Sequence, residues 1–337
     1  MSSSRLKLSA VVERRPMKAP FHITGYTFTE FDALVVSVRE DSKIGRGEAQ
    51  GVYYHQETPE SMLAQVEGMR ADIERGLSRT ELLRRLPPGG ARNALDCALW
   101  DLEAKRSGQP VWKLVDLEPP RPLVTTWTIG ADAPSVMAHR AREFADAQAL
   151  KLKLVDDDAN AARVRAVRAA RPDVWLMVDA NQGLTRESFA RLLPTLVEAR
   201  VQLVEQPFAV GREDWMDGLD SPIRIGADES VQDRNDLQKV VDRADIINIK
   251  LDKSGGLTEA LAMAQQAREM GFELMVGNMG GSSLAMAPGF VLGQSCQVID
   301  LDGPLSLRHD YAPAARYDHG TIWCPEPLWG NPGSDAA

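Results

Sequence analysis

The chain is short of several things, and each shortage removes a class of function. Only 3 of its 337 residues are cysteine. Cys97, Cys296 and Cys324 are too few and too scattered for a disulfide framework or a zinc knuckle, and they read as small packing residues. No basic block interrupts a net charge of −9. Without a clustered cationic surface to neutralise phosphates, no nucleic-acid partner is expected. No apolar run reaches membrane-spanning length, and Met1-Ser2-Ser3-Ser4-Arg5 lacks a hydrophobic signal core. Neither a membrane span nor export is expected, and the expected compartment is the cytoplasm.

What the chain does have is a repeated rhythm. Trp175-Leu176-Met177-Val178 runs into Asp179, Val201-Gln202-Leu203-Val204 into Glu205, Ile223 to Ala227 into Asp228-Glu229, and Ile246-Ile247-Asn248-Ile249 into Lys250. Each apolar run has strand length and is followed by a polar, helix-like stretch. Their spacing of roughly 20 to 27 residues is that of one βα unit with tight connections. Leu123 to Thr128, Leu150 to Leu154, Glu273 to Val276 and Cys296 to Asp300 bring the strands to eight. The expected class is α/β, a (β/α)8-type barrel, with chemistry at the C-terminal strand ends. Helices are expected over Ala159 to Ala170, Glu187 to Glu198 and Thr258 to Met270.

Residues 1–120 read differently. Val35-Val36-Ser37-Val38 reads as a strand of an antiparallel sheet, and Ala91 to Ala104 as an amphipathic helix with charged residues on its outer face. The expected division is an α+β capping domain over 1–120, a Pro-rich linker at Glu118 to Pro122, a barrel over 121–310 and a tail over 311–337 that packs on the cap.

Lys151 and Lys153 flank Leu152 on the second barrel strand, so alternation sends both ammonium groups into the barrel mouth. Burial and mutual repulsion lower a lysine's pKa from about 10.4 towards neutrality, where it can act as a base. Asp179, Glu205 and Asp228 end the next three strands. Three converging carboxylates repel one another unless a hard cation neutralises them, and oxygen-only ligation favours Mg²⁺, with Mn²⁺ as a substitute. Any one of them could instead cap the following helix or form a surface salt bridge. Three in register between inward lysines argue against that.

The ordered set Lys151-x-Lys153, Val178-Asp179-Ala180-Asn181, Glu205-Gln206-Pro207, Ala227-Asp228-Glu229-Ser230 and Asn248-Ile249-Lys250 resembles the enolase superfamily, muconate-lactonising subgroup. The resemblance extends to Asn93 to Leu102 in the cap and to Lys250 to Gly256. It implies a (β/α)7β barrel with a capping domain, one Mg²⁺ per subunit, and abstraction of a proton α to a carboxylate through an enediolate. The α-proton is weakly acidic because its loss places a second negative charge beside a carboxylate, so catalysis must stabilise that charge as it develops. Lys153 is then the base on one face of the α-carbon, Lys250 the base on the other, and Lys151 the electrostatic partner of Lys153. Taken alone, Lys250 could be a strand-end lysine reaching solvent. Two opposed bases imply racemisation or epimerisation.

Substrate identity turns on the eighth strand end. Asp300-Leu301-Asp302 places two carboxylates on one face and resembles the pair with which dipeptide epimerases hold a substrate ammonium group. The alternative is that both open a Gly-Pro turn. Thr128 and Asn278 are further substrate-binding candidates, and Asn181 and Glu229 are expected to orient a lysine or a metal ligand. The glycine-rich Gly277 to Ser283 lacks the spacing and lysine of a phosphate loop and is expected to make room for substrate. Two cap loops, near residues 21–28 and 51–55, are expected to read specificity. The first contains no arginine to pair with a glutamyl side chain, and His22 and His55 have solvated loop roles as the simpler reading.

Three functions are compatible with these residues. One is a dipeptide epimerase, one a racemase of N-acylated amino acids such as N-acetyl-glutamate, and one a non-catalytic amino-acid-binding protein. The complete set of bases and carboxylates argues against the last. Association into homo-oligomers is compatible with all three.

Overall fold

The computed structural model describes residues 6–333. The readings of Met1 to Arg5 and of the final residues of the tail fall outside the described residues. The N-terminal unit contains β1 (Lys7–Glu13), β2 (Pro16–Ile23), β3 (Tyr26–Glu30), β4 (Ala33–Glu40) and β5 (Lys43–Ala49). Helices α1 (Pro59–Gly68), α2 (Arg70–Glu74), α3 (Arg79–Arg85), α4 (Gly90–Ser107) and α5 (Val111–Leu114) follow. Strands β1, β4 and β5 form an antiparallel sheet, and β2–β3 is a separate hairpin. Thr58 with Ser61 and Ser78 with Glu81 form capping boxes that start α1 and α3 by satisfying their first backbone N–H groups.

Helix α4 lies very close to β5. A Cβ at Gly45 would stand 2.0 Å from Ala98 O, and one at Gly47 would stand 2.2 Å from Ala94 O. Only glycine permits this approach. The expected helix is present, but of its charges only Arg106 is exposed and Glu103 half-buried. Arg92, Asp96, Asp101 and Lys105 are all buried. The helix is wedged between cap sheet and barrel, so both faces are covered and each charge must find a partner. Arg92 donates to Ser254 O and Gly255 O at 2.6 and 3.1 Å. Asp96 accepts from Thr258 N and Oγ1 at 2.9 and 2.6 Å. Asp101 accepts from Arg46 N and Gly330 N at 2.9 and 2.8 Å.

The second unit contains β6 (Leu123–Val124), β7 (Thr126–Ile129), α6 (Pro134–Glu143), β8 (Ala149–Lys153), α7 (Asn160–Ala170), β9 (Trp175–Asp179) and α8 (Arg186–Glu198). It continues through β10 (Leu203–Glu205), β11 (Arg224–Ala227), β12 (Ile246–Lys250), α9 (Leu251–Ser254), α10 (Leu257–Glu269), β13 (Glu273–Gly277), α11 (Ser283–Gly293) and β14 (Val298–Ile299). Strands β7 to β14 form one parallel sheet of eight in chain order, the expected barrel. The expected helices after β8, β9 and β12 are present. After β10 and β11 the chain instead makes the short 3₁₀ turns Glu213–Met216 and Arg234–Val240.

Polar side chains link the two ends of this ladder. Thr126 Oγ1 donates to Asp300 Oδ1 at 2.7 Å, and Leu301 N donates to Thr125 Oγ1 at 3.0 Å. The single first strand expected over Leu123 to Thr128 is interrupted at Thr125, whose N–H donates to Gly320 O at 3.0 Å. Its first half, β6, pairs with the hairpin of β15 (Arg316–Asp318) and β16 (Thr321–Trp323). Beyond that hairpin, Trp329 Nε1 donates to Arg46 O at 2.9 Å and Val111 N donates to Gly330 O at 2.8 Å, which sets this stretch against the cap.

Candidate active site

The barrel register brings the charged strand ends together. Lys153 on β8 lies beside Asp179 on β9, which lies beside Glu205 on β10. Asp228 follows β11 directly, and Lys250 ends β12. All five side chains are buried. The alternation Lys151-Leu152-Lys153 acts as expected, with Leu152 packed in the apolar core and both ammonium groups turned inward.

Lys153 Nζ donates to Asp179 Oδ2 at 2.6 Å and to Asn181 Oδ1 at 3.0 Å. Asn181 Nδ2 donates to Glu229 Oε1 at 3.1 Å, so a three-residue chain holds the Lys153 ammonium group. Lys250 Nζ donates to Asp228 Oδ2 at 2.6 Å. Lys151 Nζ lies 3.0 Å from Asp179 Oδ2, 2.7 Å from Glu205 Oε2 and 2.8 Å from Asp300 Oδ2. It therefore bridges three carboxylates.

At Lys151 the expected depression of the pKa is not what this arrangement produces. Burial does lower Lys151, but Asp179, Asp300 and Glu205 outweigh it and hold the group well above its ordinary value. Lys250 is likewise raised, because Asp228 overcomes the loss of hydration. Repulsion between the lysines is the smaller effect, since carboxylates surround both. The acids divide by partner. Burial pushes Asp179 up, yet Lys151, Lys153 and Lys250 hold it at about 2. Burial and then the charge of Asp179 raise Glu205 to about 7, and burial and then Asp228 raise Glu229 to about 8.

Whether Asp179, Glu205 and Asp228 suit a divalent ion can be judged from their oxygens. Among the described residues no three acidic, histidine or cysteine side chains are gathered in the geometry of a closed metal shell. Lysine ammonium groups instead supply the counter-charge. Glu205 Oε2 and Asp228 Oδ1 are buried without a hydrogen bond, although each lies within ion-pair distance of a lysine, Lys151 and Lys253 respectively. Hard oxygen donors, buried and incompletely satisfied, are the donor set that Mg²⁺ prefers.

A cavity of about 400 Å³ opens above this cluster, between barrel and cap. Lys151, Lys153, Lys250, Asn181, Thr128, Asn278, Asp300 and Asp302 all line it. Lys153 and Lys250 thus face the same space from β8 and β12. Asp300 is already engaged by Lys151 and Thr126, whereas Asp302 Oδ2 accepts from Thr128 N at 2.6 Å. Burial and then the neighbouring Asp300 raise Asp302 to about 6. Asn278 uses its own amide internally, donating to Asp300 O and accepting from Gly280 N, both at 2.7 Å. It braces the eighth strand end, and its second N–H remains available to the cavity. The glycine-rich segment serves the cap as well as the cavity, since Gly280 packs on Phe31 and Ser282 N donates to Glu48 at 2.8 Å.

Three residues at the site were assigned no role by the sequence reading, although its motifs contain them. Asn248 donates to Glu205 Oε1 at 2.7 Å, and its position two before Lys250 on one strand was a usable signal. Gln206 Oε1 accepts from Asp228 N and Ser230 N. Lys253 Nζ sits 2.6 Å from Asp228 Oδ1 and donates to Val231 O and Asn248 O. A lysine folded back from α9 leaves no local pattern to detect.

Comparison with known proteins follows the same lines. Residues 136–329 match the family described as enolase C-terminal domain-like, and residues 7–116 match the mandelate racemase / muconate lactonizing enzyme N-terminal domain. The chain belongs to the enolase superfamily. Within that superfamily it is 38% identical to the L-Ala-D/L-Glu epimerase of Escherichia coli (strain K12), over 92% of this chain and 97% of the relative. An enolase family member from Agrobacterium tumefaciens with homology to dipeptide epimerases was solved with sodium and L-Ala-L-Glu. It superposes with a TM-score of 0.94 at 41% identity, covering 96% of this chain and all (100%) of that one. A dipeptide epimerase from Methylococcus capsulatus, complexed with Mg and L-Arg-D-Lys, gives a TM-score of 0.87 at 30% identity, covering 94% of this chain and 96% of the other.

Proposed function

We propose that this chain is a Mg²⁺-dependent dipeptide epimerase that inverts the α-carbon of the C-terminal residue. The observation that carries the reading is that Lys153 and Lys250, on β8 and β12, line one cavity together with Asp302. Lys153 removes the α-proton from one face and Lys250 returns a proton to the other, or the reverse for the opposite isomer. Lys151 holds positive charge beside the carboxylate cluster and disfavours protonation of Asp179 and Glu205. Asp302 receives the substrate's ammonium group, which places the α-carbon of the second residue at the bases.

Asp179, Glu205 and Asp228 would hold the metal. A bound Mg²⁺ supplies neutralisation of the negative charge that develops on the substrate carboxylate. Asn181 and Glu229 orient Lys153, and Asn248 orients Glu205. Residues 1–120 act as the cap that shapes the side-chain end of the cavity, 121–310 as the catalytic barrel and 311–337 as a brace on the cap.

A racemase of N-acylated amino acids would use the same bases. One observation favours it: Asp300 is committed to Lys151 and Thr126, which leaves Asp302 as a single carboxylate for an ammonium group. Incubation in D₂O with Mg²⁺ and a panel of dipeptides and N-acetyl amino acids separates the readings. Exchange confined to free-amine dipeptides supports the epimerase, exchange confined to N-acyl compounds the racemase, and no exchange with either refutes both.

A further inference from the structure

Two side chains outside the cluster of lysines and carboxylates tie the capping loops to the barrel, and each does so beside one base. Thr24 lies in the turn of the β2–β3 hairpin. Its Oγ1 is 3.1 Å from Leu154 O and 3.0 Å from Ala180 O, so one hydroxyl proton is shared by two carbonyls. Leu154 follows Lys153 in the chain, and Ala180 follows Asp179, the carboxylate paired with that lysine. Leu154 N also donates to Asp179 O at 2.9 Å. Thr24 therefore stitches together the two strand ends that hold Lys153. A Cβ at Gly183 would stand 2.9 Å from Thr24 Oγ1, so the turn after β9 is cut back where this hydroxyl enters.

Asp252 occupies the matching place beside Lys250, two residues further along the chain. It is buried, and its Oδ1 accepts from Gln50 N at 3.0 Å and Gly51 N at 2.9 Å, both in the second capping loop. Gly51 has φ +79°, a left-handed conformation that presents its N–H to Asp252 without strain. The two loops then meet over the cavity. Tyr53 of the second packs edge-on against Tyr26 and Phe28 of the hairpin, at 4.6 and 5.3 Å between ring centres. Neither Thr24 nor Asp252 lines the cavity.

We propose that Thr24 and Asp252 are positioning residues, Thr24 for Lys153 and Asp252 for Lys250, each fixing one base by tying a capping loop to its strand end. This rests on the two-base reading above. The physical reason is the tolerance of proton transfer: a displacement of about 1 Å at the reacting atoms costs on the order of 10²-fold. A lysine ammonium on a four-carbon stem is held to that tolerance only if its strand end is also held.

The test follows deuterium wash-in to L-Ala-L-Glu and to L-Ala-D-Glu separately, with Mg²⁺ present. Lys153→Ala and Lys250→Ala set the reference, since each stops exchange of the one isomer whose α-proton faces the missing base. Thr24→Val should slow the isomer lost in Lys153→Ala by roughly 10- to 100-fold, in kcat more than in KM, and leave the other isomer near the wild-type rate. Thr24→Ser should restore it. Asp252→Ala should give the mirror pattern, and Asp252→Asn, which keeps an acceptor oxygen, should retain most of the rate. Thr24→Ala repeats the test where valine disturbs folding. Equal loss on both isomers in either variant would overturn the inference, because the latches would then merely hold a common roof. No exchange by the wild type of these isomers or of any other member of the dipeptide and N-acetyl amino acid panel would overturn the two-base reading and this inference together.

Discussion

Lys151 Nζ stands 2.8 Å from Asp300 Oδ2, so the second barrel strand is bonded to the eighth across the mouth, over the first. This ion pair is buried on both sides. It assigns the two aspartates of Asp300-Leu301-Asp302 different tasks, although alternation alone made them equivalent. Replacing Asp300 with asparagine should lower unfolding stability by about 3 kcal/mol, the lower end for breaking a buried pair, because Lys151 keeps Asp179 and Glu205. Urea unfolding of D300N against wild type measures this, and an unchanged midpoint would show that the pair contributes nothing to stability.

The two bases should be separable by isomer. In Lys153→Ala and Lys250→Ala, net inversion should fall by about 10²–10⁴-fold, the usual contribution of a positioned general base. Each variant should still exchange the α-proton of one isomer. Proton NMR in D₂O reads this directly, and loss of exchange on both isomers in one variant would assign both steps to a single lysine.

Asp302 gives the pH dependence. With its carboxyl raised to about 6, it is neutral in more of the free protein as pH falls through that value, and a neutral carboxyl cannot hold an ammonium group. The expected kcat/KM for a free-amine dipeptide therefore declines below about pH 6, and D302N should lack this limb. Stability runs the opposite way. Between the ordinary carboxyl value of about 3.9 and about 6 the folded state binds more proton than the unfolded, so this group's contribution weakens as pH rises through that window. Thermal melts at pH 4.5 and 7 on wild type and D302N give the difference.

Removing the metal should silence the enzyme and leave a trace in stability. Dialysis against a chelator is expected to abolish exchange, and Mg²⁺ to restore it. Because a ligand that binds only the folded state stabilises by mass action, Mg²⁺ at 100 times its dissociation constant should add about 2.7 kcal/mol. The resulting rise in Tm should vanish in E205Q and D228N, and a rise that persists in both would place the ion elsewhere.

At the domain junction, Asp96→Ala leaves the Thr258 N–H and hydroxyl without their buried acceptor. The expected loss is about 1–3 kcal/mol per unsatisfied group, read from denaturant midpoints. A neutral result would mean that water replaces the carboxylate.

The sequence by itself determined the barrel, the order of its strands and the residues at their ends. These are local properties: apolar runs of strand length, a regular interval between them, and alternation that sends Lys151 and Lys153 to one face. It also pointed to Asp179, Glu205, Asp228 and Lys250, since a charge at the end of a buried strand is costly unless a partner or a ligand compensates it. Tertiary structure alone decided which charge pairs with which. The pKa of Lys151 moves up rather than down because Asp179, Asp300 and Glu205 converge on it from three different strand ends, and no local pattern encodes that count. It likewise buried four charges of α4, with Arg92 and Asp96 meeting α9 and α10, and Asp101 and Lys105 meeting β5, instead of water. Lys253 and the contacts of Thr24 and Asp252 belong to the same class. Each joins residues far apart in sequence, and a hydrogen bond between distant segments has no period to read.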